Sequence, residues 1–232
     1  MAVSGGAALP AEVHRRFKER YDITILEGYG LSETSPVTSF TVRGEEVRVG
    51  SIGKPIWGVE MRIMNDDGSF GGPEDVGEIV IRGHNVMKGY YNRPDATREA
   101  IVDGWFHTGD IGRYDADGYF YIVDRKKDLI IRGGMNIYPR EIEEVVYTHP
   151  KVLESAVVGI PDEMRGEEVK VYVSAQEGET ITPEEIIEFL KTKLAKYKWP
   201  KVVEVLQELP KGPTGKILKR ELKVMAARDA GD

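Results

Sequence analysis

The chain has 232 residues, enough for one large or two modest domains with a buried core. Its net charge of −7 argues against a general nucleic-acid binder, and the absence of cysteine excludes disulfides, thiolate metal sites and a cysteine nucleophile. The four histidines (His14, His84, His107 and His149) are too scattered for a metal cluster, and no apolar run approaches a membrane span or follows Met1 as a signal peptide would, so a soluble cytoplasmic protein is the expectation.

Met1-Ala2-Val3 leads at once into the turn Ser4-Gly5-Gly6-Ala7, with almost no strand before it. Pro10 opens a predicted helix to about Arg20, with Val13 and Phe17 one turn apart. Ile23, Ile25 and Leu26 predict a short strand before Gly28-Tyr29-Gly30. Together these read as an α/β unit with its beginning cut away. Tyr29 to Thr34 then has two readings. Ser32 and Glu33 are either plain polar turn residues, or part of a site loop at the carboxyl end of a strand, where open α/β sheets bind ligands. In the second reading Gly28 and Gly30 let backbone approach a ligand closely.

From Val49 to Val123 the texture is β. Val59, Met61 and Ile63 alternate, as do Ile79 and Ile81, with turns at Asn65 to Gly72 and Asp115 to Gly118. Strands this short predict a small distorted barrel. Trp105 reads as packing. Asp110, in His107-Thr108-Gly109-Asp110, is either a turn residue or a carboxylate able to take both hydroxyls of a ribose diol. Two short hairpins run into Asp124-Arg125-Lys126-Lys127-Asp128. Five successive charges between the strand-like runs Tyr119 to Val123 and Leu129 to Ile131 cannot be buried cheaply, so a solvated seam and hinge is expected there. The pair Gly133-Gly134 that follows reads as a turn.

The remainder predicts a compact α+β domain. Pro139 opens a helix through Ile142, Val145 and Val146 that ends before His149-Pro150. Val152 to Ile160 and Val169 to Val173 predict strands, the second with Lys170, Tyr172 and Ser174 facing outward. Thr182-Pro183-Glu184-Glu185 is a capping box, and its helix carries Ile186, Phe189, Leu190 and Leu194 on one face. Val202, Val203 and Val205 predict another strand, Leu218 to Met225 a last helix, and the tail after Arg228 a frayed end. Lys211-Gly212-Pro213-Thr214-Gly215-Lys216 looks superficially like a phosphate loop. It fails the pattern, because Pro210 stands where the first glycine belongs and Ile217 where Ser or Thr is needed. On its own, Lys216 is a solvated loop cation.

Four segments in order, EGYGLSETSPV at Glu27 to Val37, WFHTGD at Trp105 to Asp110, DRKKDLIIRGGMNIYPREIE at Asp124 to Glu143 and PKGPTGKILKREL at Pro210 to Leu222, resemble the adenylate-forming ligase superfamily, the acyl-CoA synthetases and their relatives. The likeness covers nearly the whole chain and is nearest to fatty-acyl-CoA ligases, with aryl-CoA ligases close behind. It implies ATP-dependent, Mg²⁺-assisted activation of a carboxylic acid to an acyl-adenylate, then transfer to coenzyme A with release of AMP. It further implies that Gly5, Gly6 and Ala7 lie at the adenine end of a nucleotide pocket and Tyr29 stacks near adenine beside Gly30. Ser32 touches phosphate, Glu33 helps hold Mg²⁺, and Asp110 grips the ribose with Arg125 assisting. Lys216 is the catalytic lysine of adenylation, Lys127 the hinge residue, and Gly133 and Gly134 line the pantetheine tunnel.

The implied organisation is a C-terminal part of a large adenylate-binding domain at 1–123 (an α/β piece at 1–48, a β subdomain at 49–123), a hinge at 124–128 and a small mobile domain at 129–232. The family's Ser/Thr/Gly-rich phosphate loop is absent upstream of SGGA, so the chain is expected to be the C-terminal portion of a longer synthetase, inactive alone and prone to self-association through its N-terminal edge. A non-catalytic binding module and an adenylation domain serving a carrier protein are the competing readings. No nucleic-acid partner is expected, and peripheral membrane contact stays open.

Overall fold

The computed structural model describes residues 1–229 and divides into two compact units that meet in sequence between Lys126 and Lys127. In the first unit, β1 (Ala2–Ser4) and β2 (Ile25–Gly30) run parallel, connected by α1 (Ala11–Tyr21), so the short run before Ser4 does form a strand. Pro10 stands at the helix N-cap position, and Asp22 closes the helix in the left-handed conformation. The side of α1 that is buried carries His14 rather than Val13, which is exposed; His14 lies against Glu27 of β2, Nδ1 to Oε1 3.5 Å.

The chain then adds β3 (Val37–Phe40), β4 (Ser51–Pro55), β5 (Val59–Met64) and β6 (Gly77–Gly83). After α2 (Pro94–Ala100) come β7 (Ile101–Val102), β8 (Trp105–Tyr114) and β9 (Phe120–Arg125). Their order in one sheet is β1-β2-β3-β4-β9-β8-β6-β5, with β7 on β8. The expected small barrel therefore needs correction. Among the described residues no barrel closes, because β4 pairs with β3 on one side and β9 on the other, which merges the β-rich region with the α/β piece in a single open sheet. The period-2 pattern is realised: Met61, Ile63, Ile79 and Ile81 share a core with Ile52, Phe106 and Phe120. Trp105 is buried against Phe70 and Arg82.

The charged break also differs from expectation. Asp124 and Arg125 are the last residues of β9, and Asp124 is buried; the exposed part is Lys126 and Lys127, in a 3₁₀ turn spanning Lys126–Asp128. Pairing of β8 with β9 continues to Asp110↔Arg125, so the sheet extends two residues into the charged run.

The second unit comprises β10 (Ile130–Arg132), β11 (Met135–Ile137), α3 (Pro139–Tyr147), β12 (Val152–Asp162), β13 (Gly166–Ala175), α4 (Pro183–Lys191), β14 (Val202–Val205) and α5 (Lys219–Asp229). Its sheet order is β11-β10-β13-β12, with β14 parallel to β13. Ile142, Val146, Ile186 and Leu190 from α3 and α4 pack on Val157, Val169, Val171 and Val173. Thr182 Oγ1 accepts the Glu185 N–H at 3.2 Å at the start of α4, and Leu194 packs on this core from beyond the helix end. The outward reading of β13 is corrected: Lys170, Tyr172 and Ser174 are all buried. A second cluster covers that face, in which Tyr172 meets Ala156, Val158, Leu209 and Leu222, and the Tyr172 hydroxyl donates to the Leu222 carbonyl at 3.1 Å. Lys170 is held at 2.8 Å from Glu204, so its charge is paired. The frayed tail expected after Arg228 falls on residues 230–232, outside the described residues, apart from Asp229, which ends α5.

Candidate functional site

Asp110 sits inside β8, not in an ordinary turn, and a bulge aims it. The partners of β6 run Val80↔His107 and then Glu78↔Ile111, so Thr108, Gly109 and Asp110 stand opposite Ile79 alone. Gly109 takes φ +71°, a left-handed value that glycine adopts without strain. Side chains replace the missing ladder bonds. Thr108 Oγ1 donates to the Ile79 carbonyl at 2.7 Å and accepts the Asp110 N–H at 3.0 Å, and Glu78 Oε1 accepts the Gly109 N–H at 2.9 Å.

The Asp110 carboxylate is buried and engaged at both oxygens: Arg125 Nε donates to Oδ1 at 2.9 Å and the Tyr29 hydroxyl to Oδ2 at 2.6 Å. Strands β2, β8 and β9 thus bring three residues singled out in the sequence to one point. Burial, then the Asp110 charge and hydrogen bond, push the Tyr29 hydroxyl far above its usual pKa, so it stays a neutral donor. Each carboxylate oxygen keeps a second acceptor position for a further hydroxyl.

Beyond β2 the segment predicted as a loop is a 3₁₀ turn, Ser32–Thr34. Thr34 builds it: its hydroxyl accepts the Leu31 N–H at 3.0 Å, and Thr38 donates to it at 2.9 Å from beneath. The turn leaves Ser32 exposed and Glu33 half-buried. Glu33 is fixed at both ends, its carbonyl accepting the Met87 N–H at 2.8 Å and its Oε1 the Tyr90 hydroxyl at 2.9 Å. Tyr90 escaped sequence reasoning because 57 residues separate it from Glu33. Its signal, a tyrosine pair in Gly89-Tyr90-Tyr91, has no chemistry of its own. Gly30 also has a packing role. A Cβ there would stand 1.6 Å from the Pro36 carbonyl oxygen, and one at Gly28 2.6 Å from the Phe40 ring, so these glycines make room for the chain's own return.

Gly5, Gly6 and Ala7 are exposed in the segment leaving β1, beside β2, where a Cβ on Gly5 would lie 3.1 Å from the Gly28 carbonyl oxygen. Gly133, Gly134, Lys127 and Lys216 belong to the second unit. Gly133 and Gly134 have φ +57° and +80° and form the two-residue connection between β10 and β11, where a I′-type hairpin turn needs positive φ twice. Both are exposed, and Gly133 N–H donates to the Arg165 carbonyl at 2.8 Å. Lys216 is exposed on a loop closed by the Lys211↔Ile217 bridge, and its carbonyl accepts the Gly212 N–H at 2.9 Å.

Two family patterns match the chain in succession, the AMP-binding enzyme over residues 1–91 and the AMP-binding enzyme C-terminal domain over residues 141–216. A long-chain-fatty-acid–CoA ligase of Bacillus subtilis (strain 168) is 47% identical over 95% of this chain, and a sulfoacetate–CoA ligase of Cupriavidus necator is 46% identical over 94%. The chain spans 40% and 43% of those two proteins. The crystal structure of ATP-bound MatB from Rhodopseudomonas palustris superposes with a TM-score of 0.92 at 36% identity, over 96% of this chain and 44% of that one. Both matched families, in the order the motifs run, assign the chain to the AMP-binding, adenylate-forming enzymes related to the acyl-CoA ligases.

Proposed function

We propose that this chain carries the sugar-binding and lysine-bearing portions of an AMP-forming acid–thiol ligase, which activates a carboxylic acid with ATP and passes the acyl group to coenzyme A. The observation that carries this reading is the buried Asp110 carboxylate, pre-set by Arg125 and Tyr29 with acceptor positions to spare for a ribose diol. Tyr29 and the Gly5-Gly6-Ala7 segment flank the adenine, and Ser32 meets phosphate.

In the first step a substrate carboxylate oxygen attacks the α-phosphorus, and the bond to pyrophosphate breaks with its electron pair leaving on pyrophosphate. The step needs no protein nucleophile. It needs positive charge and in-line placement where anion meets anion. Lys216, a compact charge on a flexible stem, supplies that charge. In the second step the coenzyme A sulfur attacks the acyl carbon, AMP leaves, and the thiol proton passes to solvent. Gly133 and Gly134 leave room for pantetheine, and Lys127 is the pivot that exchanges the two steps.

Among the described residues no three His, Cys, Asp or Glu gather as a metal site. Glu33 would hold Mg²⁺ through its one carboxylate, an oxygen ligand suited to that hard cation, and the ion would offset phosphate charge there. Tyr90 orients the Glu33 carboxylate for it.

The stretch is nearly as identical to the sulfoacetate ligase, at 46%, as to the long-chain fatty-acid ligase, at 47%, so identity alone favours neither acid. A fatty acid is the first candidate. No helix among the described residues is long and apolar enough to cross a membrane. The cytoplasm is the compartment we propose for the reaction. The outer edge of β1 is the candidate surface for self-association.

The test is carboxylate-dependent ATP–pyrophosphate exchange, with acids from acetate to long fatty acids and cinnamates. The chain is assayed alone and as a replacement for the matching 40% of the Bacillus subtilis relative. Exchange by the chimera that drops about 100-fold or more in Lys216→Ala supports the reading. A chimera that is folded but silent, or one indifferent to Lys216→Ala, refutes it. Offering coenzyme A and a carrier protein as rival acceptors then separates the two ligase types.

A further inference from the structure

We infer that Glu78 is the positioning residue of the sugar site, holding Asp110 and Arg125 in register from beneath the β8 bulge; the inference rests on the nucleotide reading of that site. Glu78 lies in β6, in a run that is otherwise apolar through Ile79, Val80 and Ile81, and its side chain is only 13% exposed. A carboxylate in such a place costs desolvation and must be compensated. It is compensated from two directions. Oε1 accepts the Gly109 N–H at 2.9 Å, and Oε2 faces His107 Nδ1 at 3.3 Å and Lys126 Nζ at 3.4 Å.

Those partners are the neighbours of the two residues that matter. Gly109 belongs to the bulge that bears Asp110, His107 is the paired residue that immediately precedes it, and Lys126 directly follows Arg125, whose guanidinium meets Asp110 Oδ1. One carboxylate therefore ties the two ends of the Asp110–Arg125 pair to a rigid strand. The bulge gives a reason for this. Three residues face one, so the Gly109 N–H has no ladder partner, and Glu78 supplies one. Burial raises the Glu78 carboxyl's pKa, but the Gly109 N–H, His107 and Lys126 outweigh it and hold the group below its ordinary value, which keeps it an acceptor.

The test uses the 232-residue chain as wild type, Glu78→Gln, Glu78→Ala and, as site control, Asp110→Asn. Glu78→Gln keeps an oxygen for Gly109 but no charge toward His107 and Lys126, whereas Glu78→Ala removes both. NMR reads water exchange of the Arg125 Nε–H and the Gly109 N–H; AMP titration and thermal melting are run on the same samples. Loss of a charged hydrogen bond predicts that Arg125 Nε–H exchange rises about tenfold in Glu78→Ala and by less in Glu78→Gln, with AMP binding weakened in the same order. A fall in the thermal midpoint alone, with the Arg125 signal unchanged in the folded variants, overturns the inference. If Glu78→Ala fails to fold, Glu78→Gln decides. Wild-type protein that binds AMP neither alone nor in the chimera with the Bacillus subtilis relative would sink the nucleotide reading, while the Arg125 signal still settles what Glu78 does.

Discussion

The Tyr29 hydroxyl donates to Oδ2 of Asp110 at 2.6 Å across 81 residues of sequence. It takes one of the two acceptor positions on Oδ2 and leaves the other for the ribose hydroxyl that the proposed function places there. Asp110→Asn halves the acceptor capacity and removes the charge that holds Arg125, so AMP affinity should fall about tenfold or more. Tyr29→Phe keeps the ring and clears Oδ2, so the variant should bind AMP at least as tightly as wild type. Titration calorimetry on the two variants checks both; a Tyr29→Phe protein that binds tenfold more weakly would make the hydroxyl a ligand contact instead of a placeholder.

Gly30→Ala should destabilise the first unit, since the new Cβ would lie 1.6 Å from the Pro36 carbonyl oxygen, a backbone atom that cannot swing aside. A cost of about 1–3 kcal/mol is expected from such overpacking. Denaturant melts report it, and the Ser32–Thr34 turn should be the first region to lose amide protection.

In the second unit Leu222 is fully buried beneath Tyr172, Leu209 and Val158. Leu222→Ala should cost about 2–5 kcal/mol by lost burial and the cavity left behind. The Tyr172 hydroxyl bonds the Leu222 backbone, which the substitution retains, so fluorescence or exchange at Tyr172 should show a loosened ring with its hydrogen bond kept.

His149 is buried, with Phe189 edge-on at 4.8 Å, Glu185 at 3.6 Å and Lys151 close by. Burial lowers its pKa below the ordinary 6.5; Glu185 opposes this and Lys151 adds to it. The unfolded chain therefore takes up a proton more readily than the folded one. The stabilisation is fully present above pH 6.5 and is lost as pH falls from there through the lowered folded value. His149→Gln should flatten that slope in hydrogen-exchange protection of Val146 and Val157. A slope equal to wild type would show that His149 does not set it.

Much of the local structure is legible in the chain alone, because it depends on neighbours in sequence. Thr182 caps α4 through its own third neighbour, Met61 and Ile63 alternate because a pleat has period 2, and two successive glycines permit the β10–β11 turn. The resemblance to the ligase family likewise singles out Tyr29, Asp110 and Arg125. What sequence patterns cannot carry is which surfaces meet. Lys170, Tyr172 and Ser174 alternate as an exposed face would, yet residues more than thirty positions onward, Leu209 and Leu222, cover Tyr172. Asp124 reads as part of a solvated charge run, but pairing of β9 with β8 draws it into the sheet. The bulge that aims Asp110, with Glu78 bracing it and Tyr90 steadying Glu33, exists only once distant strands have settled their register, since its hydrogen bonds join residues tens of positions apart. Residue chemistry was written locally; its aim came from strand pairing, which no short window of sequence contains.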